Sequence, residues 1–185
     1  MIEGVHMKIN EYVDMCYQIS VEKGFWEQPR ETGTLIALIH SEVTEALDAV
    51  TVTNFCEELA DICIRIGILC GGQEISLEKV LNTIASDKMY GIKLDFTSFE
   101  ALERSFEEIL PEYDDYKNAC RVHGALSYAL ESDRNGDYDT YIKNIGVAFL
   151  ETIRWAAVKG YKILPALIKK KETSRYRPKL HGKKY

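Results

Sequence analysis

Apolar residues recur every three to four positions along most of the chain, the period of an amphipathic helix, and no long stretch alternates like a strand. Ile9, Tyr12, Val13, Cys16 and Ile19 predict a first helix from Lys8 to Lys23, stopped by Gly24. GFWEQPRETG reads as a loop carrying Phe25, Trp26 and Pro29. A second helix is expected from Thr34 to about Val50, then a short TVTN connection. With Asn54 as N-cap, a third runs to Cys70 before Gly71 and Gly72. Ser76 can cap a fourth, reaching about Tyr90. Thr97 to Glu100 reads as a capping box before Leu102, Phe106, Ile109 and Leu110. Tyr113 to Leu130 and Asp137 to Lys159 follow, separated by the turn DRNGD, and Pro165 opens a last helix. The expected class is all-α, a multi-helix bundle.

Two helices carry acids among apolar residues. Glu42 and Glu45 are three apart on the second helix, Glu58 and Asp61 on the third. That spacing puts each pair on one side, one turn apart. After Asp61 the third helix is apolar nearly all round, with Arg65 its only charge before Cys70. Such a helix is normally buried. Buried carboxylates are costly without positive partners or coordination. The short connection packs the two helices antiparallel, which brings the pairs face to face. Four oxygen ligands suit a hard cation such as Mg2+, completed by waters and substrate phosphates. A di-iron site wants Glu-x-x-His, and Asp48 and Asp61 stand where those histidines would be. The competing reading is two solvated acidic faces.

Composition narrows the class. The chain has 185 residues, 46% of them hydrophobic, enough for one sizeable core. No apolar run is long enough to span a bilayer, and the start lacks the apolar stretch of a signal peptide. Five cysteines, an odd number, suggest reduced thiols and a cytoplasmic setting. Cys56, Cys63 and Cys70 are seven apart, roughly 10 Å at 1.5 Å per residue, too far to share an ion. The net charge is −6, yet eight of the 23 Lys and Arg residues lie from Lys169 to Tyr185 with a single Glu. That tail could grip a polyanion or simply be solvated.

IALIHSEVTEALD (36–48) resembles ACRVHGALSYALE (119–131), setting His40 opposite His123. LADICIRIGILCGG (59–72) more weakly resembles AFLETIRWAAVKGY (148–161), setting Arg65 opposite Arg154. The four acids then align with Ala125, Tyr128, Val147 and Leu150. Either the second half is a degenerate repeat without the acids, or two helical hairpins merely share apolar spacing.

KGFW (23–26), LIHSEVTEAL (38–47), EELADICIR (57–65) and RPKLHGKKY (177–185), in that order, resemble the MazG-like all-α nucleoside triphosphate pyrophosphohydrolases. Twelve residues separate Glu45 from Glu58, within the family's window between Glu-x-x-Glu and Glu-x-x-Asp. The resemblance implies a MazG-like helical module over 8–92, a helical extension over 96–173 and a basic tail over 174–185, in one domain. It implies Mg2+-dependent cleavage of an NTP or dNTP into monophosphate and pyrophosphate, with Mn2+ a substitute. Glu42, Glu45, Glu58 and Asp61 match the metal ligands, with Glu45 and Glu58 also assigned to catalysis. Trp26 matches an aromatic position near the base pocket, although a packed aromatic is an equal reading. Lys170 and Arg177 match phosphate-side positions, with Lys88 an alternative lysine. Ser174 stands where the family usually has Asn. Relatives imply a homo-oligomer, most simply a dimer. No membrane partner is expected, and nucleic acid is not. The rival is a non-catalytic nucleotide- or nucleic-acid-binding protein on the same fold.

Overall fold

A computed structural model describes residues 7–86 and 91–174. Among these there are eight α-helices and no strand. They are α1 (Ile9–Glu22), α2 (Thr32–Asp48), α3 (Val52–Gly72), α4 (Leu77–Ser86), α5 (Phe99–Ser105), α6 (Asp115–Arg134), α7 (Tyr138–Val158) and α8 (Leu164–Ser174). The all-α bundle expected from the periodicity is present. None of the described helices is long and apolar enough to cross a membrane.

The helix ends depart from the sequence reading in informative ways. Thr51, not Asn54, caps α3: its hydroxyl accepts from the Asn54 N–H at 3.1 Å. Ser98, not Thr97, caps α5 by accepting from Ala101 N–H. α5 stops at Ser105, short of the expected run through Ile109 and Leu110. The Ser105 hydroxyl donates back to the Ala101 carbonyl and accepts from Asp95 N–H, tying the last turn to the preceding loop. α3 runs through Gly71 and Gly72 instead of ending before them.

Two antiparallel hairpins make the centre. Connections of three residues, 49–51 and 135–137, join α2 to α3 and α6 to α7. α2 crosses to α6, with Gly33 beside Leu130 and His40 against His123, so these two helices run antiparallel. Phe55 meets Trp155 edge-on at 5.4 Å, and Tyr141 Oη donates to Gln73 Oε1 at 2.5 Å, which makes α3 and α7 antiparallel too. α1 and α8 pack on α3, while α4 and α5 pack on α7. The apolar residues of both hairpins belong to one continuous core.

α3 is buried nearly all round, and glycine lets α1 come close. A Cβ at Gly71 would stand 2.4 Å from Tyr17 Cβ, and one at Gly67 3.0 Å from Cys16 Cβ. The neighbour at Gly71 is the root of a side chain, so relief requires α1 itself to move.

A second buried group fixes α8. Glu103 on α5 is 4% exposed, and its Oε1 accepts from the N–H groups of Ile163 (2.5 Å) and Leu164 (3.1 Å). Those donors are free at a helix start. Oε2 has no partner among the described residues. Burial pushes this carboxyl above its ordinary range, and the two N–H bonds only partly oppose the shift.

Two outcomes follow. Gly71→Ala lowers stability by about 1–3 kcal/mol through overpacking, net of the smaller helix-propensity gain, and an unshifted urea midpoint would contradict this. Glu103 titrates higher in the folded chain than in the unfolded one, so its favourable contribution is complete below pH 4.5 and is lost as pH rises through the folded value. Glu103→Gln keeps the accepting oxygen without the charge. Its stability relative to the parent therefore climbs as pH rises from 4.5 to neutrality, and a difference independent of pH in urea titrations would refute the assignment.

Candidate metal centre

The α2–α3 hairpin carries the acids inward. Glu42 is buried on α2 at 8% exposure, beside the apolar Ile39, Val43 and Ala46. Glu58 and Asp61 lie half-buried, one turn apart on α3. One carboxylate oxygen from each of Glu42, Glu58 and Asp61 lies within 4.8 Å of the others. Glu45 stands outside this trio, one turn along α2 and exposed, with a long 3.4 Å bond from Ser41 Oγ. Its charge still raises Glu42 and Glu58, so it lies near the trio.

Two cations hold the trio. Arg65 lies one turn beyond Asp61, and its Nε donates to Glu42 Oε1 at 3.0 Å. Lys170 of α8 reaches across to Asp61 Oδ2, with its side chain only 13% exposed. Beside it, Lys169 pairs with Glu57 at 2.5 Å. Among the described residues Glu58 has no hydrogen bond or ion pair. Burial pushes Glu42 upward against the pull of Arg65. Burial and then the Asp61 charge push Glu58 upward, with Lys170 opposing. Counted over the described residues, four carboxylates, Glu45 included, face Arg65 and Lys170, a formal net charge of −2.

That deficit and the all-oxygen donor set fit a hard divalent cation. Oxygens adjacent on Mg2+ lie about 3 Å apart and opposed ones about 4 Å, given bonds near 2.1 Å. Small side-chain movements would close the trio to such a set. Among the described residues no His or Cys joins the group, so the iron reading finds no nitrogen ligand there.

The remaining expected site residues fall elsewhere. Trp26 packs against Gly72, where a Cβ would meet its ring at 2.2 Å. Its Nε1 donates to Ser20 Oγ at 2.8 Å, and its ring contacts Tyr17 and Phe25. Gly72 lies eleven residues past Asp61, roughly 16 Å along the helix at 1.5 Å per residue. The structure therefore packs Trp26 at the far end of α3 and does not bring it to the carboxylates. Lys88 and Arg177 lie outside the described residues. In the second hairpin Arg154, aligned with Arg65, sits in a network with two arginines and one carboxylate: Asn118 Oδ1 accepts from Arg121 and Arg154, and Arg154 also pairs with Glu151.

The Lys169–Glu57 pair was not anticipated from sequence. Its one signal is adjacency: Glu57-Glu58 on one helix and three consecutive lysines, 169–171, on another.

A family model described as the Menorin N-terminal domain is similar to residues 70–123. That segment runs from the end of α3 into α6, under a third of the chain, and contains none of Glu42, Glu45, Glu58 or Asp61. No curated protein and no solved structure matches the chain.

The unpartnered Glu58 gives a test with two signs. Without metal, Glu58→Gln removes a charge repelled by Asp61 and raises the melting temperature. With Mn2+ at ten times its Kd, the parent gains about 1.4 kcal/mol and the variant gains less. Differential scanning fluorimetry in EDTA and in Mn2+ reads both, and a parent unmoved by Mn2+ would remove the metal assignment.

Proposed function

We propose that this protein is a Mg2+-dependent nucleoside triphosphate pyrophosphohydrolase that also accepts Mn2+, converting (d)NTP and water into (d)NMP and pyrophosphate. The observation that carries this reading is the convergence of Glu42, Glu58 and Asp61, from two helices, into one oxygen-only group of unbalanced negative charge. Its support from sequence is the ordered resemblance of four blocks to the MazG-like enzymes.

In this reading Glu42, Glu58 and Asp61 hold the cation, and Arg65 steadies the Glu42 carboxylate by donating to its Oε1. A divalent cation bound there neutralises phosphate charge and acidifies water. Of the four acids Glu45 alone is fully exposed, and it is our candidate to take a proton from the attacking water. Lys170 stands beside the trio as the cation nearest to an arriving phosphate. Lys88 and Arg177 enter this assignment from the sequence resemblance. Trp26 enters as a packing residue of the 23–26 block. The free cysteines, three of them buried in the core, suit the reducing cytoplasm.

Purified protein incubated with a panel of NTPs and dNTPs in Mg2+ should release pyrophosphate and monophosphate in equal amounts. Glu58→Gln or Asp61→Asn should abolish release with an unchanged far-UV circular dichroism spectrum. Glu45→Gln should lower kcat by about 10²–10⁴-fold. Release from no nucleotide with either metal would overturn the enzymatic reading. Tight nucleotide binding without turnover would replace it with that of a nucleotide-binding protein.

A further inference from the structure

α8 has two differently held halves. Its start is anchored: Leu164, Ala166 and Leu167 are buried, and Glu103 accepts the N–H groups of Ile163 and Leu164. Its second half has few apolar anchors. From Lys169 to Ser174 the residues are half-buried or exposed. What ties this half to α3 is a pair of ion pairs, Lys169–Glu57 and Lys170–Asp61.

The two pairs are not equivalent. Glu57 lies outside the carboxylate trio, so Lys169 is a plain surface tether. Asp61 is one of the three candidate ligands. Lys170 is the more enclosed lysine, at 13% side-chain exposure against 62% for Lys169, and among the described residues Asp61 is the one carboxylate its ammonium is ion-paired with, while its charge also acts on Glu58. An ammonium and a divalent cation therefore compete for the same carboxylate. An ion drawing Asp61 toward Glu42 and Glu58 also places a like charge beside Lys170, which has little water around it to screen the repulsion.

We propose that Lys170 is a metal-displaceable latch: it closes the second half of α8 over the empty carboxylate centre, and cation binding releases it. This rests on the metal reading above and adds that loading the centre loosens the C-terminal helix. The first half of α8 stays docked through Leu164, Leu167 and Glu103, so the opening is a local hinge and exposes little core. Lys170, freed from Asp61, is then left needing an anion next to the loaded centre.

Hydrogen exchange on the full chain tests this without reference to turnover. With Mn2+ binding measured in parallel by electron paramagnetic resonance, amides 168–174 should lose protection as the ion saturates, while those of α7 hold theirs. Unchanged or increased protection in the loaded protein overturns the latch. Lys170→Met should bind Mn2+ severalfold more tightly than the parent, and its α8 exchange should no longer depend on the ion. Lys169→Met should shift affinity less. Equal affinity in the parent and Lys170→Met overturns the latch while leaving the metal reading intact. Absence of Mn2+ binding in the parent overturns that reading, and the latch with it. The parent exchange experiment needs no variant, so a Lys170→Met protein that fails to fold does not rescue the proposal.

Discussion

Carboxylates set into apolar helices must find positive partners or be forced out of the core. Much of this molecule follows from that requirement. Glu42 is satisfied within its own hairpin by Arg65. Among the described residues Asp61 is ion-paired with Lys170, more than a hundred residues later. The last helix is thus brought back onto α3, and the chain closes around the acids. The compensation is incomplete, since Glu58 has no partner among the described residues. Among the described residues the acids stay short of positive charge, and that shortfall costs stability.

The scaffold that supports this centre is α3. Phe55, Leu59, Ile62, Ile66 and Leu69 face different neighbours, and all are buried. α1, α2, α7 and α8 each cover one side. Gly67 and Gly71 allow α1 to approach at near-backbone contact. Surrounded in this way, α3 holds Glu58 and Asp61 on a rigid element. The cation facing Asp61 comes from α8, whose second half is tied to α3 by two ion pairs.

Much of this was legible in the sequence. The helical period located every helix, because burial of one face dominates local choice. The acids were legible as a group because both pairs lie close in sequence and share a short connection. Helix ends were less so. Thr51 and Asn54 are both good caps, and which one wins depends on where the turn leaves α2. Ser105 stops α5 by a bond to a loop ten residues away, which no local pattern encodes. Lys170 could be singled out by resemblance, but its pairing with Asp61 could not. That contact depends on the rotation of α8, set by Leu164 and Leu167 against the core. The surroundings of Trp26 were not legible either: its indole is held by Ser20, Tyr17 and the approach of Gly72, contacts that nothing in the KGFW stretch encodes.

The meeting of His40 and His123 has a consequence of its own. Their rings lie edge to edge in nearly parallel planes, with centroids 4.8 Å apart and Nδ1 atoms 2.5 Å apart. Burial holds both below the ordinary imidazole range, so at neutral pH neither ring is charged. A bond between two Nδ1 atoms then requires one ring to carry its proton there and the other to carry it on Nε2. Two like residues, at matching places in two similar hairpins, must therefore be chemically unlike. The middle of the bundle holds one proton between two near-equivalent homes, and whichever ring has it defines a direction across an otherwise balanced pair.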